Sequence, residues 1–143
     1  MVERGAGPLP SLTQFPSGEP VDRETVIAWI EAYVDAWRSN DPVRIGALFT
    51  EDATYAYDPW SEPLQGRRAI IDDWLNEPDE AGSWEAEYRP MLIRGDRALV
   101  TGVTRYSSGE TYSNLFVIDF DEKGICRSFT EWYMLRPAAD SGT

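Results

Sequence analysis

The strongest constraint on the fold is the part of the chain after position 83, which consists of four strand-like segments joined by tight turns. Apolar and charged residues alternate within these segments, as at Trp84, Ala86 and Tyr88. Such alternation between turns rich in Gly, Ser and Asp is typical of consecutive antiparallel strands. The predicted strands are Trp84–Ile93, Ala98–Tyr106, Thr111–Phe120 and Ile125–Leu135.

Three helices are predicted ahead of these strands. The first is Asp22–Ser39, which begins at an N-capping Asp and carries an apolar stripe that includes Tyr33 and Trp37. Asp41-Pro42 begins a second, short helix, because Asp is a favoured cap and Pro is favoured at the first helical position. The third helix is predicted at Arg67–Asn76, where apolar residues again recur at helical spacing.

One further strand, rich in aromatic residues, is predicted at Thr54–Asp58, and Pro59–Gly66 is a loop or a short edge strand. Helices followed by a run of antiparallel strands indicate the α+β class, with the helices on one face of the sheet. We expect a strongly curved antiparallel sheet of about five or six strands, which the three helices close into a cone-shaped pocket. Concave sites of this kind bind small molecules.

The pocket domain is predicted to span residues 21–137. Residues 1–20 are rich in Pro, Gly and Ser, which favours an irregular N-terminal arm, and residues 138–143 are small and polar, which favours a frayed tail. No run approaches the roughly 20 apolar residues of a membrane-spanning helix. The first residues also lack the apolar core of a signal peptide, so we expect a cytoplasmic protein.

Composition excludes several classes of function. Asp and Glu outnumber Lys and Arg by 25 to 13, and a net charge of −12 repels nucleic acids and anionic membranes. The chain has no His and a single Cys, Cys126, which excludes an internal disulfide, His-based catalytic triads and most zinc sites. We therefore expect neither a metal nor a cofactor, and an apolar small molecule as the ligand.

Three short motifs carry a resemblance to a known superfamily: Ala47-Leu48-Phe49, Asp52-Ala53-Thr54 and Asp58-Pro59. With the residues around them, they resemble the nuclear transport factor 2-like superfamily. This superfamily includes ketosteroid isomerases, SnoaL-like polyketide cyclases, scytalone dehydratase and limonene epoxide hydrolase. The similarity spans about Val21–Leu135 and implies the cone-shaped fold, which hosts many different activities.

The first half of the chain is most similar to ketosteroid isomerase. The resemblance implies that Tyr33 is an oxyanion-binding Tyr and that Asp58, after a one-residue insertion, is the general base. Phe116 stands where that family has a protonated Asp, so one oxyanion donor is missing and a true ketosteroid isomerase is not expected. Tyr33 can instead be a core residue, and Asp58 can instead stabilise the turn at Pro59.

Glu131 is a third catalytic candidate. It lies in phase with Phe129 and Tyr133 on the last predicted strand, and burial among aromatic rings raises the pKa of a carboxyl group. The SnoaL-like cyclases resemble this arrangement, with an acid/base Asp late in the sheet. The alternative is an ion pair with Arg127 or with an arginine of another strand, Arg89 or Arg105.

Several aromatic residues and one amide are candidates for the pocket wall, although aromatic residues at these spacings can equally belong to the core. Asn114 lies in phase with Phe116, and its amide can bind a ligand carbonyl or Glu131. The predicted ligand-binding residues are Trp37, Tyr57, Trp60, Trp74, Asn114, Phe116, Phe129 and Tyr133.

Two functions remain open at this point. One is an enzyme that moves a proton on an apolar carbonyl compound, of isomerase, cyclase or dehydratase type. The other is a binding or assembly domain without catalysis. Leu115 and Val117 give Thr111–Phe120 a second apolar face, and such a face on a monomer would be exposed, so we also expect a homodimer.

Overall fold

The computed structural model describes residues 20–137, in three helices and six strands. The predicted arm, apart from Pro20, and the predicted tail lie outside the described residues. No helix among the described residues is long and apolar enough to cross a membrane. The elements are α1 (Arg23–Ser39), α2 (Pro42–Gly46), β1 (Phe49–Ala56), β2 (Leu64–Gln65), α3 (Arg67–Asn76), β3 (Trp84–Arg94), β4 (Arg97–Tyr106), β5 (Thr111–Phe120) and β6 (Cys126–Leu135).

The strands form one sheet in the order β2-β1-β6-β5-β4-β3. The predicted antiparallel run is confirmed from β3 to β6, and the α+β class with helices in the first half is confirmed as well. The sheet is nevertheless mixed, because β1 pairs with β6 in parallel. After β1 the chain passes through β2 and α3 to the far edge, and it then returns strand by strand until β6 lies beside β1.

Helix α1 covers the inner face of this sheet. Its N-cap is Asp22, whose carboxylate accepts a hydrogen bond of 2.8 Å from the Thr25 amide, and its C-cap is Asn40 in the left-handed conformation. Trp29 is buried beneath the helix and donates its indole N–H to the Leu48 carbonyl at 3.0 Å. This bond anchors the middle of α1 to the segment that leads into β1.

The inner face of β5 and β6 changes character along its length. Phe116, Ile118 and Phe129 are fully buried in the apolar core beneath α1. Toward the end of β5 and β6 where Tyr112 pairs with Leu135, the same face carries Asn114 and Glu131 instead. In the register of the two strands, Glu131 lies opposite Phe116 and Asn114 lies opposite Tyr133. Core packing therefore ends where the polar residues of the candidate site begin.

Gly102 of β4 provides the space for the Tyr88 ring. A Cβ at position 102 would lie 2.0 Å from the Glu87 carbonyl oxygen and 2.4 Å from Tyr88 Cδ1.

We expect Gly102→Ala to lower the free energy of unfolding by about 3 kcal/mol, the upper range for overpacking a buried site. Gly82→Ala is the control, since its φ is +83° but no atom lies within 4 Å. Gly82→Ala should lower the free energy of unfolding by only about 1 kcal/mol. If urea denaturation shows the same loss of stability for both variants, Gly102 is not needed to make room for Tyr88.

Candidate functional site

A cavity of about 620 Å³ opens at the polar end of the inner sheet face. This volume lies within the range of roughly 300–1,000 Å³ that is usual for small-molecule sites. Helix α1, helix α3, the segment that follows α3, and strands β1 and β3–β6 all contribute to its wall. The lining residues are Tyr33, Trp37, Asn40, Tyr55, Tyr57, Asp73, Trp74, Glu77, Pro78, Asp79, Tyr88, Thr104, Tyr106, Glu110, Tyr112, Asn114, Glu131 and Tyr133.

All seven tyrosines of the chain line this cavity. Two of them, Tyr33 and Tyr55, are buried, and their hydroxyl oxygens lie 3.4 Å apart. Both rings pack on Phe129, with centroid distances of 5.7 Å for Tyr33 and 4.5 Å for Tyr55. The apolar core therefore holds this hydroxyl pair in place from below.

Glu131 is at the end of a series of hydrogen bonds that joins four strands, β3 to β6. Its Oε2 accepts from Asn114 Nδ2 at 2.8 Å, and Asn114 Oδ1 accepts from Thr104 Oγ1 at 2.9 Å. The Tyr88 hydroxyl lies 2.6 Å from Thr104 Oγ1. Because the only proton of Thr104 is given to Asn114, Tyr88 donates to Thr104. Every donor in the chain thus points toward the carboxylate.

Burial raises the pKa of Glu131 to about 7, and the hydrogen bond from Asn114 opposes this shift. Two of the three arginines expected as alternative partners make ion pairs elsewhere: Arg127 contacts Asp96 at 2.6 Å and Arg105 contacts Glu87 at 3.5 Å. No ion pair involves Glu131 within residues 20–137. Its carboxyl group can therefore both release and accept a proton near neutral pH.

The two buried phenols remain neutral donors under the same conditions. Burial raises the pKa of Tyr33 and of Tyr55 well above the ordinary value, and the nearby Glu131 charge acts in the same direction. A phenol has one proton, so when one hydroxyl of the pair donates to the other, the second proton is free for a ligand. This pair can bind a carbonyl oxygen, or an oxyanion formed from it.

The structure brings together Tyr33, Glu131 and Asn114, but it does not bring Asp58 to the cavity. Asp58 Oδ1 accepts from the amides of Trp60 and Ser61 at 3.1 and 2.7 Å, and Oδ2 accepts from Ser61 Oγ at 2.8 Å. These bonds stabilise the turn after β1, which is the alternative that the Asp-Pro sequence left open.

The predicted wall residues divide into three groups. Trp37, Tyr57, Trp74, Asn114 and Tyr133 line the cavity as expected. Phe116 and Phe129 are fully buried below it, where they support the tyrosine rings rather than line the cavity. Placing Trp60 in the wall was wrong: it is 84% exposed, because the turn at Asp58 directs it into solvent.

Sequence reasoning missed three tyrosines of the wall and the polar residue behind Glu131. These are Tyr88, Tyr106, Tyr112 and Thr104. Each lies at an inward position of β3, β4 or β5, so alternation within a strand was the available signal. Which inward positions meet in space depends on the register between strands, for example Gly102 with Asn114 and Thr104 with Tyr112.

Among residues 20–137, the charged groups on the cavity wall are all carboxylates. Besides Glu131 they are Asp73, Glu77, Asp79 and Glu110, and no Lys or Arg in the described part of the chain lines the cavity. Glu77 and Glu110 are exposed to solvent, which places them at the open side. Residues 20–137 contain no group of three or more His, Cys, Asp or Glu side chains placed to hold a metal ion.

Comparison with known proteins relates this geometry to one family. The family model described as "SnoaL-like domain" matches residues 30–128, which is more than half of the chain. The matched residues include Tyr33 and Asn114, whereas Glu131 follows three residues after the match ends. No curated protein matches the chain significantly.

Solved structures with the same fold are numerous. An NTF-2 like protein of unknown function from Burkholderia xenovorans LB400 is similar with a TM-score of 0.65 and 17% identity, over 83% of this chain and 90% of that one. A putative ketosteroid isomerase from Kribbella flavida DSM 17836 is similar with a TM-score of 0.62 and 21% identity, over 85% and 88%. At these identities the likeness shows the fold alone.

The raised pKa of Glu131 predicts a pH-dependent change in stability. Between the ordinary Glu pKa and about 7 the folded state holds more protons than the unfolded state, so stability falls as the pH rises through this window. Glu131→Gln should therefore stabilise the fold by a few kcal/mol at about pH 8 and have little effect at about pH 4. Urea denaturation at both pH values measures the difference.

Glu85→Gln is the matched control, because Glu85 is an exposed carboxylate of β3 that lies outside the cavity. It should change stability by less than about 0.5 kcal/mol at either pH. If the Glu131→Gln variant is less stable than the wild type at the higher pH, burial does not raise the pKa of Glu131.

Proposed function

Because the chain belongs to the family of SnoaL-like domains, we propose that its cavity binds a flat, largely apolar carbonyl compound and that Glu131 moves a proton on it. The observation that supports this proposal best is Glu131 itself. This carboxylate has no ion-pair partner among the described residues and lies in a tyrosine-lined cavity, where burial raises its pKa to about 7. Burial of such a group disfavours folding, and a catalytic role explains why it is present.

The proposed reaction is proton transfer next to a carbonyl group. Ionised Glu131 takes a proton from the carbon beside the carbonyl, and the electron pair of that C–H bond moves into the carbonyl to give an enolate. The hydroxyl pair of Tyr33 and Tyr55 donates a hydrogen bond to the enolate oxygen. Glu131 then returns the proton to a different atom of the ligand, and the carboxylate is regenerated.

The hydrogen-bond chain behind Glu131 keeps this carboxylate in one orientation. Asn114 binds Oε2, Thr104 orients the Asn114 amide, and Tyr88 orients the Thr104 hydroxyl. The second carboxylate oxygen is then available to the ligand. Of the two roles that the sequence left open for Asn114, this proposal assigns it the positioning of Glu131 and not the binding of a ligand carbonyl.

Capture of a ligand without catalysis is the alternative. It would be favoured by a cavity filled with tryptophan side chains, or by a Glu131 held by an arginine. The cavity is open, Trp60 lies on the surface, and Arg127 contacts Asp96. These observations therefore support catalysis better than capture of a ligand without catalysis.

A homodimer is part of this proposal, with a cytoplasmic location as the sequence predicts. On the outer face of the sheet Val117 is buried within the chain, contrary to the prediction. Leu115 and Trp132, which lie opposite each other in the register of β5 and β6, are only partly buried. Met134, next on this face of β6, is 72% exposed, and Leu92 of β3 is 59% exposed. A second copy of the chain would cover this apolar face.

Sedimentation equilibrium tests the dimer. We expect a dimer at high micromolar concentration, and Trp132→Glu should shift the equilibrium toward the monomer, because a charge on this face opposes its burial. Glu122→Gln, in the exposed turn between β5 and β6, is the control and should leave the association unchanged. A wild-type protein that sediments as a monomer would overturn the dimer without affecting the cavity.

The catalytic proposal predicts a specific order among three variants in a screen of cyclic carbonyl compounds for proton exchange or isomerisation. Glu131→Gln should lower turnover by at least about a hundredfold, the lower range for the loss of a general base. Tyr33→Phe should lower kcat more than it raises KM, because an oxyanion donor matters most when charge develops. Asp58→Asn, a carboxylate change outside the cavity, should leave turnover nearly unchanged.

The pH profile of the wild-type enzyme provides a further check. Turnover should rise with pH through one ionisation near the Glu131 pKa of about 7. If no form of the protein turns over any compound in the screen, while Glu131→Gln binds the same ligands as the wild type, the catalytic proposal fails and capture alone remains.

A further inference from the structure

The carboxylates of the cavity wall carry an inference about the ligand that goes beyond proton transfer. Resting on the proposed function of the cavity, we infer that its ligand is a cation: an ammonium group attached to a flat apolar body. Two independent features carry this inference. One is the charge of the wall, and the other is its lining of tyrosine rings.

The wall charge is negative and is not compensated by the protein. Asp73 accepts a hydrogen bond from the Tyr57 hydroxyl, Asp79 from Trp37 Nε1 at 3.1 Å, and Glu131 from Asn114. All three donors are neutral. Glu77 and Glu110 complete the set, and none of the five carboxylates makes an ion pair within residues 20–137.

The arginines nearest to these elements have other partners. Arg38 lies over the Trp84 ring, 5.3 Å from its centroid, and is 3.9 Å from Asp35. Arg105 contacts Glu87, and Arg136 donates to Ser113 Oγ at 3.0 Å. The positive charge that would neutralise the cavity is therefore not supplied by this part of the chain.

Low-dielectric walls strengthen the potential that these carboxylates create inside the cavity. An anionic ligand such as a carboxylate or phosphate ester would be repelled, and a neutral ligand would gain nothing from the wall charge. A cationic ligand would be attracted during approach and stabilised once bound.

The tyrosine lining favours the same class of ligand. The face of an aromatic ring carries partial negative charge and attracts an ammonium ion within about 6 Å of its centre. Five tyrosines of the wall are exposed or only partly buried, and in a cavity of about 620 Å³ a bound ammonium would lie close to more than one of them: Tyr57, Tyr88, Tyr106, Tyr112 and Tyr133. The same rings bury the apolar body. An amine that also bears a carbonyl group could place its ammonium near the wall carboxylates and accept a hydrogen bond from the Tyr33–Tyr55 pair at its carbonyl oxygen.

Three aromatic probes that differ in charge test this inference by isothermal titration calorimetry. Phenyltrimethylammonium is the cation, tert-butylbenzene is its uncharged isostere, and para-tert-butylbenzoate is an anion with the same body. The cation should bind at least about tenfold more tightly than the uncharged probe. The anion should bind most weakly of the three. The preference for the cation should weaken as the ionic strength rises.

A pair of charge-matched variants separates the cavity wall from the net charge of the protein. Neutralising the wall with Glu77→Gln, Asp79→Asn and Glu110→Gln should lower the affinity for the cation at least about tenfold while leaving that for tert-butylbenzene unchanged. Neutralising three exposed carboxylates outside the wall should change neither affinity. Those control changes are Glu31→Gln, Glu85→Gln and Glu122→Gln.

The inference is overturned if the uncharged probe binds as tightly as the cation, if both triple variants lose the same affinity, or if the cation does not bind. Its failure is distinct from failure of the proposed function. A cavity that binds tert-butylbenzene without preferring the cation leaves proton transfer by Glu131 intact, and the carbonyl screen decides that proposal separately.

Discussion

The arrangement of the site depends on one partly buried carboxylate, Glu131, with which no Lys or Arg among residues 20–137 forms an ion pair. Glu131 lies at an inward position of β6, two residues after the apolar core residue Phe129, and it accepts one hydrogen bond from the neutral amide of Asn114. Taking a charge out of water without pairing it is unfavourable, so the proton affinity of the group rises. The hydrogen-bond chain through Asn114, Thr104 and Tyr88 gives this strained charge a defined orientation.

The rest of the fold can be understood as support for that arrangement. Trp29 anchors α1 over the core, Phe116 and Phe129 hold the tyrosine rings from below, and Gly102 makes room for Tyr88. Two arginine–aspartate pairs with buried carboxylates lie at the other end of the sheet: Arg97 with Asp119 at 2.7 Å and Arg127 with Asp96. These arginines neutralise buried carboxylates at that end, whereas no Lys or Arg among residues 20–137 lines the cavity.

Much of the architecture was predictable because its signals are local. The bounds of Arg67–Asn76 and of Thr111–Phe120 agree with the structure, since helical spacing and period-two alternation end at clear turns. Strand β1 begins at Phe49 rather than at Thr54, and its parallel pairing with β6 was missed. Its partner lies more than 70 residues away in the chain, and no local pattern reports such a contact.

A site residue could be predicted where alternation within its own strand determines which face of the sheet its side chain lies on. Glu131 and Asn114 were found because they lie in phase with buried aromatic residues of the same strand. Thr104 and Tyr88 were not, because their role depends on the register between β3, β4 and β5. Asp58 and Trp60 belong to a turn, where no periodicity indicates whether a side chain points inward, and the hydrogen bonds of the turn determine the direction instead.

A direct titration of Glu131 tests the central claim. Carbon-13 NMR of the side-chain carboxyl groups, with Glu131→Gln used to assign the signal, follows its ionisation in the intact protein. The account predicts a midpoint near 7, and a higher midpoint when Asn114→Ala removes the one hydrogen bond that opposes the shift. A midpoint at the ordinary Glu value of about 4.3 would mean that the carboxylate is solvated, and it would contradict the account.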